Sequence, residues 1–161
     1  MVSKIRFYHD KDNWMTKENT IESIKKAREA HILQMDKIAA IINGENIDNP
    51  TAVSKKDCDF GHWIYDDSNH VKRLIGSQFY EKLDRQHEQW HFEYFKIYEI
   101  FVTGNKKGLL SKLLGRSGID TLELDKAKLY YSELKATTEE LLKVLAAAER
   151  RLGALSEAKF N

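Results

Sequence analysis

The chain has 161 residues, 42% hydrophobic and 32% charged, with one proline and eight glycines; this excludes disordered and fibrous classes and suits a single helical domain that buries its own core. Its 26 basic and 25 acidic residues nearly cancel, so no global field draws it onto nucleic acid or anionic lipid, and nucleic acid is not expected as a partner. Cys58 is the one cysteine, which leaves no intramolecular disulfide and points to a reducing compartment, the cytoplasm.

The first segment, MVSKIRFYHDKDNWM, is broken by charges every few residues, which argues against a signal-peptide core, and no later stretch approaches the length of a membrane span. From Asn19 to Asn43, Ile21, Ile24, His31, Met35, Ile38 and Ile42 recur at intervals that stack on one helical face, with Arg28 interrupting the stripe. Gly44 follows where a left-handed residue closes a helix. The segment GENIDNPTAVSKKD collects turn formers without a sustained period and reads as a loop across the bundle end. CDFGHWIYDD is long enough for a turn or two anchored by Phe60, Trp63 and Ile64, and Gly61 suggests a close backbone approach.

Ser77 is a candidate N-cap for a helix from Gln78 to about Thr103, ended by Gly104. Leu83, His87, Trp90, His91, Tyr94, Tyr98 and Phe101 lie on one of its faces. After the basic, glycine-punctuated stretch NKKGLLSKLLGRSG, a last helix from about Thr121 to Leu155 carries Leu124, Ala127, Leu134, Leu141, Leu145, Ala148 and Leu152. Long helices joined by loops predict an all-α fold, an antiparallel four-helix bundle with a short extra helix carrying the cysteine.

His87 and His91 stand one turn apart on the same face, close enough to bind one ion. Each candidate alone has an ordinary structural reading: histidine pairs are common, a lone His31 on an apolar stripe is normally a hydrogen-bonded core residue, and Cys58 behaves as a small hydrophobe. Together, three histidines and a cysteine at bundle-facing positions form the borderline-soft ligand mix that suits tetrahedral zinc.

These residues resemble a known family, the chemoreceptor zinc-binding domain (CZB), found attached to bacterial chemoreceptors and diguanylate cyclases. His31-Ile32-Leu33 is similar to its first motif, with Leu33 where tryptophan is frequent. Cys58-Asp59-Phe60-Gly61-His62-Trp63 matches its Cys-x-apolar-Gly-x-aromatic motif, and His87 with His91 supplies the closing His-x-x-x-His. The resemblance covers about residues 20–103, within a single domain 1–161 whose final bundle helix is about 121–155. It implies one Zn2+ per chain held by His31, Cys58, His87 and His91, with no catalytic residues. It also implies a regulatory function in chemotaxis or cyclic-di-GMP signalling, sensing zinc or oxidants such as hypochlorous acid. A homodimer, and a chemoreceptor or diguanylate cyclase as signalling partner, are the partners it suggests. Four protein ligands leave no open position for water, so such a site is structural or sensory rather than hydrolytic.

Two other readings compete. His87-Glu88-Gln89-Trp90-His91 satisfies H-E-x-x-H, in which Glu88 would be the general base of a zinc metallopeptidase. That enzyme needs a third ligand, an open position and normally an edge strand beside its cleft, and no segment here is strand-rich. A hemerythrin-like di-iron bundle needs more ligands than His9, His62 and His70 supply. His62 reads as an exposed residue, and His9 and His70 as loop residues. Trp63, Trp90, Tyr94 and Phe95 are assigned to packing around the metal. Leu109, Leu110, Leu113 and Leu114, interleaved with Lys106, Lys107, Lys112 and Arg116, suggest a short capping helix, with an amphipathic docking segment as the alternative.

Overall fold

A computed structural model describes residues 16–113 and 119–160, with side chains described outside 103–118. The helices of the described residues, among which there is no strand, are α1 (Lys17–Ile42), α2 (Asp59–Ile64), α3 (Val71–Ile75), α4 (Ser77–Leu113) and α5 (Thr121–Ala154), with two short 3-10 turns. Residues 1–15, His9 among them, and the side chains of the basic stretch 105–118, lie outside this description.

α1 begins where Thr16 accepts a hydrogen bond from the Asn19 N–H at 3.1 Å, satisfying one of the first-turn donors that a helix leaves open. It buries the stripe Ile24, Ala27, His31, Met35, Ile38 and Ile42. It closes at Gly44, which adopts φ +86° as expected, while the Glu45 N–H returns to the Ala40 carbonyl at 2.9 Å. α5 is capped by Asp120, which accepts from the Leu122 N–H, and buries Ala127, Leu134, Leu141, Leu145, Ala148 and Leu152. The periodic positions therefore became the core, where each fully buried leucine contributes on the order of 2 kcal/mol.

α5 runs antiparallel to both other long helices. On α1, Lys17 reaches the Leu155 carbonyl at 2.6 Å, Arg28 pairs with Glu149 at 3.1 Å, and the Tyr131 hydroxyl donates to the Met35 carbonyl at 3.3 Å. On α4, the Arg151 guanidinium lies over the Phe79 ring at 4.3 Å, Trp90 donates to Thr138 at 2.8 Å, and Lys96 pairs with Glu133 at 2.7 Å. α1 and α4 thus run in the same direction, which brings His31 beside His87 and His91 at one level.

Two expected boundaries move. Ser77 lies inside α4, and the Gly76 carbonyl accepts the first-turn bond from the Tyr80 N–H at 2.9 Å; Gly76, at φ +87°, reverses the chain between α3 and α4. α4 also continues through Gly104 to Leu113. One helical glycine costs about 1 kcal/mol relative to alanine, and the lysines and leucines that follow it are good helix formers, so the helix persists. The loop after Gly44 does more than cross the bundle end. It runs between α1 and α4, with Thr51 donating to Gln34 at 2.6 Å and accepting, through its carbonyl, from Tyr94 at 3.2 Å.

Candidate metal centre

The four candidate ligands come from three elements: His31 from α1, Cys58 from the N-cap of α2, and His87 and His91 from α4. The histidines are buried, at 3%, 0% and 4% exposure, and Cys58 is partly buried. Cys58 occupies a position where serine or aspartate is usual, its sulfur accepting from the Gly61 N–H at 3.1 Å. Gly61 is needed there because a Cβ would overlap the Lys55 carbonyl oxygen and lie 2.9 Å from its carbon. The close backbone approach expected at Gly61 is what lets α2 seat Cys58 against α4.

Hydrogen bonding determines which nitrogen of each ring is available. His31 Nδ1 lies 2.7 Å from the Ala27 carbonyl and His91 Nδ1 lies 2.9 Å from the Val53 carbonyl. A carbonyl only accepts, so both Nδ1 atoms carry a proton and both Nε2 atoms of the neutral rings are bare. Ligand atoms of His31, His87 and His91 lie within 4.8 Å of one another. His87 Nε2 stands 3.1 Å from His91 Nε2 and 3.3 Å from Cys58 Sγ.

These spacings fit the chemistry of the donor set. Zinc bonds of about 2.0–2.1 Å to nitrogen and about 2.3 Å to sulfur place tetrahedral neighbours about 3.3 Å (N to N) and about 3.6 Å (N to S) apart. The two measured edges fall within about 0.3 Å of that figure. Two imidazole nitrogens at such a distance need a proton or a cation between them, since two bare lone pairs would repel.

Burial favours the uncharged rings. It lowers the His31 pKa to about 4, with the neighbouring His91 adding to the effect, and lowers His91 to about 4 as well. His87 falls well below the usual range, through burial first and then the other two histidines. Neutral imidazoles are the form that binds metal. Without a cation, burial pushes the Cys58 thiol up to about 11; a bound zinc would reverse this by holding the thiolate directly.

Aromatic rings wall the cluster. Trp90, fully buried, meets His31 edge-on at 4.9 Å, and Phe60 meets His87 at 4.9 Å. Trp63 and Tyr94 are buried as expected, but Phe95 is 38% exposed and does not pack around the site. It is one position on from Tyr94, and the helical step turns it toward solvent. On another side, a cavity of about 250 Å³, lined in part by Thr51, Asp57 and Gln34, reaches His31, Cys58 and His91. Glu88 is 64% exposed at its side chain and pairs with Lys55 at 3.2 Å. His62 is exposed, as expected, and His70 lies outside the helices, as expected of a loop residue.

Three residues outside the motifs also meet the site. The Tyr65 hydroxyl, from the C-cap of α2, lies 3.1 Å from His87 Nδ1 and 2.6 Å from Asp84 Oδ1, and Lys55 Nζ lies 2.8 Å from the same oxygen. Burial, then Asp84, push the Tyr65 phenol far above its ordinary value, which keeps it protonated. Burial opposes the Asp84 charge, but hydrogen bonds from Lys55 and Tyr65 outweigh it and hold the carboxyl below its usual range. The only trace of this in the sequence is that Asp84, His87 and Glu88 share helical spacing; nothing there points to Tyr65.

No curated protein and no solved structure matches the chain. The family model described as the chemoreceptor zinc-binding domain, CZB, matches residues 31–98, a stretch that opens on His31 and encloses Cys58, His87 and His91. Over residues 31–98 the chain is therefore similar to the chemoreceptor zinc-binding domain family.

Proposed function

We propose that this single domain is a zinc-binding regulatory module that holds one Zn2+ with His31, Cys58, His87 and His91. In this reading it reports zinc level or oxidants through Cys58 to bacterial signalling of the chemotaxis or cyclic-di-GMP type. The observation that carries the reading is that ligand atoms of His31, His87 and His91 lie within 4.8 Å of one another, with the Cys58 sulfur 3.3 Å from His87 Nε2. Four protein ligands close the tetrahedron, so the site has no open position for a hydrolytic water.

Zinc would hold Cys58 as a thiolate, the form that oxidants attack. Hypochlorous acid transfers its oxygen to the sulfur with loss of chloride, leaving a sulfenic acid, which is a poorer ligand. The cavity beside Cys58 supports access for a small oxidant or chelator. The expected antiparallel four-helix bundle with a short extra helix carrying the cysteine belongs to the same reading: among the described residues α1, α4 and α5 are three long helices, and α2, with Cys58 at its start, stands for the short extra one. A cytoplasmic site of action and a homodimer, receptor or cyclase partner complete it.

Metal analysis of the chain purified without added metal tests the reading, with one zinc per chain expected and two irons refuting it. Cys58→Ser should weaken zinc binding by at least tenfold, in line with loss of a thiolate ligand. An unchanged affinity would remove Cys58 from the site. Zinc release that follows thiol loss under hypochlorous acid would support oxidant sensing; a thiol unreactive in the loaded protein would leave zinc level as the signal.

A further inference from the structure

His31 and His91 have their Nδ1 protons committed to backbone carbonyls, whereas His87 Nδ1 meets a side chain. Its Nδ1 faces the Tyr65 hydroxyl at 3.1 Å, and that hydroxyl is 2.6 Å from Asp84. A hydroxyl carries one hydrogen, and an ionised carboxylate only accepts. The shorter contact to the charged acceptor claims the Tyr65 hydrogen. What the phenolic oxygen then offers His87 is a lone pair, which requires a proton on His87 Nδ1.

We propose that Tyr65 and Asp84 form an outer relay that fixes the tautomer of His87, protonated at Nδ1 and bare at Nε2, and so presents Nε2 to the metal. Unconstrained neutral histidine favours the opposite tautomer, so the relay selects the form that can coordinate. Lys55 completes it from the loop before Cys58, pairing with Asp84 at 2.8 Å and with Glu88 at 3.2 Å. α2 therefore grips His87 from both sides: its first cap places Cys58 Sγ 3.3 Å from Nε2, and its last places the Tyr65 oxygen 3.1 Å from Nδ1. The Tyr65 ring also stacks on the His87 ring at 23°. Tyr65 and Asp84 are positioning residues, acting on the metal through His87 alone.

The relay rests on the zinc-site reading and is tested apart from it. Zn2+ affinity of the full chain, measured by competition with a chromophoric chelator, should fall about 10–100-fold in Tyr65→Phe and in Asp84→Ala. The double variant should be no weaker than the weaker single variant, because the two residues act in series. Nitrogen-15 NMR of the imidazoles in the metal-free chain should show His87 protonated at Nδ1 in the wild type and shifted toward Nε2 in Tyr65→Phe. Singles within twofold of a zinc-binding wild type overturn the relay. A lowered affinity with the His87 tautomer unchanged overturns it too, since Tyr65 would then act only by packing. A wild-type chain that binds no zinc refutes the site reading instead, while the tautomer measurement still decides the relay.

Discussion

Replacing Gly61 with alanine adds one methyl group where three backbone groups already stand. The new Cβ would overlap the Lys55 carbonyl oxygen and lie 2.9 Å from the Lys55 carbonyl carbon and 3.1 Å from the Lys56 Cα. No rotamer can relieve a clash with backbone, so either the Lys55 loop or α2 must shift. Overpacking of this kind costs about 3 kcal/mol at the upper end of its usual range, and the better helix propensity of alanine returns about 1 kcal/mol. The net loss is about 2 kcal/mol, or a melting temperature lower by about 4–8 °C for a chain of this size. The same shift stretches the Gly61 N–H bond to Cys58 Sγ, now 3.1 Å, and moves the sulfur from His87, so zinc affinity should fall about tenfold. Circular-dichroism melting of the metal-free chain and zinc competition measure the two effects. Gly153→Ala is the internal control, because a Cβ there meets nothing within 4 Å in the last turn of α5; it should be neutral or gain less than about 1 kcal/mol. A Gly61→Ala protein that melts at or above the wild type and binds zinc equally would refute the packing argument.

Three other outcomes follow from the same geometry. In the metal-free chain, His31 and His91 stay neutral to about pH 4 when folded, whereas unfolded histidine titrates near its ordinary value of 6.5. Their stabilising effect is therefore complete above pH 6.5 and is lost as pH falls from there to about 4, by up to about 3 kcal/mol per ring. Urea midpoints at pH 7 and 5 check this, and equal midpoints would contradict it. Trp90→Phe removes the donor to Thr138 and opens space beside His31, which should cost about 2 kcal/mol in thermal unfolding; Thr138 keeps its bond to the Leu134 carbonyl at 2.7 Å. Zinc at about a hundred times its Kd should add about 2.7 kcal/mol to stability. Chelator titration during melting would show this gain disappear, and a melting temperature indifferent to zinc would contradict it.

Much of the scaffold was legible in the residues themselves. The stripes on α1 and α5, the stop at Gly44 and the close approach at Gly61 are local features, because helical periodicity records which side of one element is buried. The spacing of His31, Cys58, His87 and His91 was equally plain, and so was the likeness to the chemoreceptor zinc-binding domain over residues 31–98. Tertiary structure decided how the pieces meet. The Ala27 and Val53 carbonyls that orient two histidines have no side-chain signature, and Val53 reaches His91 only because its loop lies against α4. Tyr65 met His87 and Asp84 only once the end of α2 was laid against α4. The continuation of α4 past Gly104 and the exposure of Phe95 show the same limit: residue type sets a local preference of about 1 kcal/mol or less, and the surrounding packing overrides it. The sequence by itself offered the four candidate side chains and the helices that carry them; the tertiary structure decided which nitrogen of His31 and of His91 is free, because that depends on where the backbone acceptors lie.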